Sequence, residues 1–167
     1  MGCLATEPEL CYAYRVYEWW QEKFPKTEVS YINAGIGATT SQFAAARVEK
    51  DLLDQKPDVV FVEFSVNDDA NEFFMETYES LIRKIYTFDQ NTAIIIINCV
   101  RYDDGGSAEV WHAKVARYYE LPQISMQRSI YPEVAAGRIS AEEITADYLH
   151  PNDIGHKLVA GVIESFL

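Results

Sequence analysis

The sequence predicts an α/β fold, a three-layer αβα arrangement built on a doubly wound, flavodoxin-like parallel sheet. Two observations carry the prediction. Strand-like runs rich in Val and Ile alternate with stretches of helical periodicity along the whole chain, the pattern of βαβ units. Two of those runs, 58–64 and 93–99, are apolar almost throughout, as expected of parallel strands covered on both faces.

The elements follow in order. A helix is expected over 8–24, with Pro8 in its first turn and Tyr12, Val16, Trp19, Trp20 and Phe24 at helical spacing, and Pro25 ends it. Residues 29–33 read as a strand, followed by a small-residue loop and a helix over 40–55. The run 58–64 is expected to be a central strand, 72–88 a helix and 93–99 a second buried strand. A helix over 107–119, a short strand over 122–125 and a closing helix over 151–166 complete the pattern. No linker or repeat interrupts it, so residues 1–167 are expected to form one domain.

Composition excludes several classes of function. With 14 Lys+Arg against 26 Asp+Glu the formal net charge is −12, and no basic cluster exists to displace counterions from nucleic acid or to hold an anionic membrane surface. The apolar run 93–97 is far shorter than the roughly 20 residues that span a bilayer. Cys3, Cys11 and Cys99 show no metal-ligand spacing and are expected to be reduced, half-buried thiols. The first residues show no basic-then-apolar leader, so a cytoplasmic location is expected.

In doubly wound sheets ligands bind beyond the carboxyl ends of the strands, which directs attention to the loops. Gly35-Ile36-Gly37-Ala38-Thr39-Thr40 opens a helix and can present backbone N–H groups. Ser65-Val66-Asn67-Asp68-Asp69 follows a buried strand, and the uncharged amide of Asn67 suits an oxyanion whose charge develops only in a transition state. In Asp147-Tyr148-Leu149-His150-Pro151, Pro151 biases His150 away from helical angles. A carboxylate three residues upstream can hold one ring nitrogen as a donor and leave the other as a base. Taken singly, each segment also has a bland reading: a tight turn, an Asx turn, or a capped loop with a surface histidine.

Together their order, spacing and residue types resemble the SGNH hydrolases, also called the GDSL lipase/esterase family. Asn33-Ala34-Gly35-Ile36-Gly37-Ala38-Thr39-Thr40-Ser41 is similar to that family's second block, Phe64-Ser65-Val66-Asn67-Asp68 to its third, and Asp147-Tyr148-Leu149-His150-Pro151-Asn152 to its last. The resemblance implies the SGNH fold and a serine acylhydrolase acting on short acyl or acetylated carbohydrate esters. It assigns His150 as general base and then acid, Asp147 as its orienting carboxylate and Asn67 as an oxyanion donor. The backbone donor that the family takes from Gly falls on Ala38, with Gly37 adjacent. A small-molecule ester is the implied partner, and no cofactor or metal is called for.

Two departures accompany the resemblance: Ala38 stands in place of the Gly, and the first block, Gly-Asp-Ser, is absent. Gly2 is similar to the Gly that closes that block, so the chain is expected to be truncated before the nucleophile, to lack the first strand and to be nearly inactive as written. The rival expectation is a noncatalytic relative or a flavodoxin-like binding module. Ser65 reads as structural, Ser41 as a cap or first-turn residue, and nothing marks Cys3 as activated. His112 and His156 read as partly exposed helix residues, and the pairs Asp68-Asp69 and Asp103-Asp104 as solvated loop carboxylates. The aromatics of the first helix read as core, with a sugar- or acyl-binding wall as the sharper alternative.

Overall fold

The computed structural model describes residues 2–167 and divides into two compact units. One holds the residues up to Gly37 together with Tyr102–Asp104 and Arg128–Leu167; the other holds Ala38–Arg101 and Gly105–Gln127.

The second unit is the α/β part. Strands β1 (Val59–Val62), β2 (Ala93–Asn98) and β3 (Gln123–Ser125) form a parallel sheet in the order β1-β2-β3. Helices α2 (Ser41–Asp51), α3 (Glu72–Phe88) and α4 (Glu109–Tyr118) accompany it. Asn71 starts α3 by accepting the Phe74 N–H at 3.0 Å, which satisfies one of the unpaired amides of the first turn. Tyr78, Leu81, Ile82 and Ile85 then recur on one face and are buried with Val60 and Val62 of β1, Ile94 and Ile96 of β2, and Ala44 and Val48 of α2. Each fully buried apolar side chain of this kind contributes roughly 1.5–3 kcal/mol. The alternate residues of β2, Ile95 and Ile97, are buried as well, as the apolar run predicts.

β1 differs from expectation. It occupies an edge of the described order, with Val60 and Val62 buried and Val59 and Phe61 only partly so.

The first unit is helical: α1 (Tyr12–Lys23), α5 (Ile130–Ala135), α6 (Ala141–Ile144) and α7 (Asp153–Phe166). A 3₁₀ turn, Pro8–Leu10, precedes α1, so Pro8 opens that turn and not the α-helix. α1 packs on α7 through Tyr12 and Val16 against a face carrying His156, Val159, Ala160 and Ile163. Residues 29–33 form no strand, which corrects the sequence expectation. A strand is held by its ladder, and this unit contains no other strand among the described residues; Ile32 is in fact exposed.

Pro151 is likewise not the first helical residue. It pairs with Thr145 in an isolated bridge, and Asn152 caps α7 by accepting the N–H groups of Ile154 and Gly155 at 3.0 and 3.1 Å. Gly155 is required here, because a Cβ on it would lie 2.1 Å from the Ile144 carbonyl oxygen. α6 and α7 thus approach closely enough to close the loop between them into a tight corner.

Candidate active site

That corner carries Asp147 and His150. The imidazole Nδ1 lies 2.7 Å from Asp147 Oδ2, while Asp147 Oδ1 accepts the backbone N–H groups of His150 at 2.7 Å and Leu149 at 3.1 Å. One carboxylate therefore fixes both the ring and the chain that bears it. A carboxylate only accepts, so Nδ1 carries the hydrogen and Nε2 presents its lone pair. The pair is reachable, with His150 and Asp147 side chains 41% and 47% exposed. The hydrogen bonds from His150, side chain first and then backbone, lower the Asp147 pKa to about 2.

The loop is held against its own strain. Tyr148 has φ 61°, an uncommon left-handed conformation for a residue with a Cβ. Its N–H donates to Thr145 Oγ1 at 3.0 Å, its carbonyl accepts the Tyr102 N–H at 2.7 Å, and its hydroxyl donates to Glu142 Oε1 at 2.8 Å. Thr145 is buried and passes its own hydrogen to the Ala141 carbonyl at 3.0 Å. Constraints on this scale are what allow a strained residue to persist at a site.

The other candidate residues belong to the α/β unit, Gly37 excepted, which closes the first segment of the helical one. Asn67 follows β1 in a turn where the N–H groups of Asn67 and Asp68 both donate to the Phe64 carbonyl, at 3.0 and 2.9 Å. Its side chain is exposed and its amide makes no hydrogen bond to the described residues, so both amide hydrogens are available. Ala38 has φ 57°, whereas Gly37 lies outside the left-handed region and a Cβ on it would touch nothing. The backbone shape that favours glycine thus falls on the alanine.

Ser65 is buried and committed. Its hydroxyl lies 3.0 Å from both Glu63 Oε1 and the Cys99 carbonyl, and its N–H donates to the same Glu63 oxygen at 3.0 Å. Burial pushes the Glu63 carboxyl up, against the bonds from Ser65 that lower it. Cys3 is exposed, Cys11 buried and Cys99 partly buried, so the three thiols are not alike.

Three expectations are overturned. Asp68 is buried instead of solvated, bonded to the Ser41 N–H and to His112. His112 is fully buried and not a partly exposed helix residue. His156 is buried too: its Nδ1 accepts the Tyr12 N–H at 3.3 Å and its Nε2 lies 3.1 Å from the Cys3 carbonyl. In each case a polar partner distant in sequence makes burial affordable, and helical spacing alone carries no trace of it. Among the described residues no three His, Cys, Asp or Glu side chains are grouped to hold a metal ion, and no helix is long and apolar enough to cross a membrane.

The family's sequence pattern, that of the GDSL-like lipases/acylhydrolases, matches residues 2–158. The chain belongs to the GDSL-like lipase/acylhydrolase family. Among solved structures, a two-domain esterase active on acetylated mannans, CEX, is 58% identical with a TM-score of 0.97 over 99% of this chain. The match takes in 46% of that esterase, so the chain spans less than half its length. The acetyl xylan esterase AlAXEase is 23% identical, with a TM-score of 0.78 over 95% of this chain and 91% of its own. A lipase/acylhydrolase from Enterococcus faecalis is also 23% identical, with a TM-score of 0.71 over 96% of this chain and 85% of its own. These last two share the family's fold. No curated protein matches the chain.

Proposed function

We propose that this chain provides the scaffold of an ester hydrolase that removes acyl groups, acetyl above all, from carbohydrates. The observation that carries the reading is the Asp147–His150 pair, with Nδ1 occupied by the carboxylate and Nε2 open on an accessible corner. The 58% identity to an esterase active on acetylated mannans supports the choice of substrate class.

The chemistry assigned is acyl transfer to a serine and then to water. His150 Nε2 takes the proton of the attacking hydroxyl and returns it to the departing sugar oxygen. It then takes a proton from the water that attacks the acyl-enzyme and passes it to the serine oxygen as the acyl–serine bond breaks. Asp147 holds the tautomer and stabilises the imidazolium. The Asn67 amide and the Ala38 N–H are assigned to the oxyanion that forms at the ester carbonyl. No cofactor enters this scheme.

The 167 residues contain no Gly-Asp-Ser sequence to supply the nucleophile. Loss of the serine alone costs about 10⁶ in the turnover of a serine protease, so the chain as written is expected to hydrolyse esters very slowly. That same absence favours a second reading, a noncatalytic module that binds acylated sugars. The test is acetate release from acetylated manno-oligosaccharides and p-nitrophenyl acetate by a chain extended ahead of Gly2 with a Gly-Asp-Ser block. Release that disappears in His150→Ala is expected. An inactive extended chain that still binds the sugars, or release that persists in His150→Ala, would overturn the hydrolase reading.

A further inference from the structure

Asp68 lies one residue beyond Asn67, and its carboxylate is wholly buried. Oδ1 accepts the Ser41 N–H at 2.9 Å, and Oδ2 lies 3.1 Å from His112 Nε2. Ser41 is the first residue of α2, three positions after Ala38, and Thr40 before it offers no side-chain cap. Asp68 therefore caps α2 from another loop, where unpaired N–H groups and the helix dipole favour an anion.

His112 supplies the second donor. Because a carboxylate only accepts, Nε2 carries the ring hydrogen. The ring plane is set by Tyr78, stacked at 3.7 Å with the planes 5° apart. His112 Nδ1 has no partner, so the single polar service this buried ring performs is its bond to Asp68. Ser41 Oγ also pairs with Thr77 Oγ1 at 2.8 Å, anchoring the same end of α2 to α3. A buried, fully enclosed polar pair is a weak source of stability compared with apolar packing, and its best-attested use is to fix one arrangement among several.

We propose that Asp68 and His112 are positioning residues that brace the Ala38 loop against the Asn67 loop, so that the backbone donor and the amide donor are presented in one fixed relation. The inference rests on the oxyanion roles assigned to Ala38 and Asn67 above. It places two residues with no assigned chemistry behind the two that meet the substrate.

Amide hydrogen exchange in the 167-residue chain tests it without any need for turnover. His112→Phe keeps the stack on Tyr78 and removes the donor. Exchange at Ser41, Ala44 and Asn67 is expected to rise about tenfold or more, the loss corresponding to one charge-assisted hydrogen bond. Exchange across Ile94, Ile95, Ile96 and Ile97 should be unchanged. His112→Gln, whose amide can donate to the carboxylate, should restore protection. Uniform acceleration that includes β2, unchanged exchange at Asn67, or a His112→Gln chain that behaves like His112→Phe would overturn the brace.

Should His112→Phe not fold, Asp68→Asn serves, since it keeps the shape. Its carbonyl oxygen is kept on the Ser41 N–H as in Asp68, so the new amide nitrogen faces the ring and donates to it. Imidazole ¹⁵N shifts should then report the hydrogen moving from Nε2 to Nδ1; an unmoved hydrogen means that Ser41 does not hold this side chain and overturns the proposal. The two levels separate cleanly. If Asn67→Ala leaves ester turnover of the Gly-Asp-Ser-extended chain unchanged while His112→Phe loosens both loops, the oxyanion assignment fails and the brace stands.

Discussion

The Cα of Gly155 faces the carbonyl oxygen of Ile144 so closely that a methyl group at this position would sit 2.1 Å from that oxygen and 3.0 Å from Pro151 Cβ. Neither neighbour can step aside easily, because the Ile144 oxygen already accepts the Asn152 N–H at 3.0 Å and Pro151 is bridged to Thr145. Gly155→Ala is therefore expected to destabilise the chain by at least about 2 kcal/mol, an overpacking effect. A thermal melt would register it as a lowered midpoint. A midpoint equal to that of the parent would mean that α6 and α7 separate without cost.

Asp147 provides a check on the proposed catalytic corner that needs no substrate. Its pKa is lowered to about 2 by its bonds to His150, below the unperturbed value of roughly 3.9. A depressed carboxylate contributes stability that is complete above its unfolded pKa and fades as pH falls through the folded one, so the relevant window is roughly pH 4 down to 2. Carboxyl ¹³C shifts should place its midpoint near 2 in the parent. In His150→Ala the midpoint should rise toward the ordinary value, while the melting temperature stays nearly the same because both side chains are well exposed. An unmoved midpoint would show that the pair does not exist in solution.

Ala38 adopts φ 57°, a region that costs an L-residue roughly 1–2 kcal/mol. Glycine avoids that strain but loses roughly 0.5–1 kcal/mol more in chain entropy on folding. Ala38→Gly is thus expected to stabilise by about 0.5–1 kcal/mol, measured by urea unfolding with an unchanged m-value. Destabilisation would mean that the loop takes another shape in solution.

His156 should make the helical unit sensitive to acid. Burial lowers its pKa, partly offset by its bond to the Cys3 carbonyl and by Asp153, and the neutral ring accepts the Tyr12 N–H at Nδ1. The unfolded chain then binds more protons than the folded one, so stability is complete above about pH 6.5 and declines as pH falls below it. Unfolding free energy followed from pH 7.5 to 5 should fall in the parent and stay flatter in His156→Gln. Parallel slopes would assign the acid sensitivity elsewhere.

Much of this was legible in the residues. The four-residue recurrence of Tyr78, Leu81, Ile82 and Ile85 reads directly as a helix face, and 72–88 is the observed span of α3. The Ile-rich run of β2 reads as a buried strand and is one. The Asp147–His150 pair was readable because its three-residue spacing is local, so sequence distance and spatial distance coincide. His112 was not, since its partner Asp68 stands 44 residues away and a buried histidine looks on a helical wheel like any other. Residues 29–33 misled for the converse reason: their composition favours extension, but a strand is defined by its neighbours. The short helices α5 and α6, of six and four residues, are too brief to display a period.

The pairing of α1 with α7 has a consequence for biosynthesis. The sheet-bearing unit draws on residues 38–127 with a short excursion, so nearly all of its contacts are available once that stretch has left the ribosome. The helical unit instead joins segments far apart in sequence, as in the Thr6 hydroxyl's 2.7 Å bond to Asp153 across 147 positions. The corner that bears His150 therefore cannot close until the residues of α7 have left the ribosome, and a nascent chain carries Ala38 and Asn67, the donors proposed for the oxyanion, long before it carries His150.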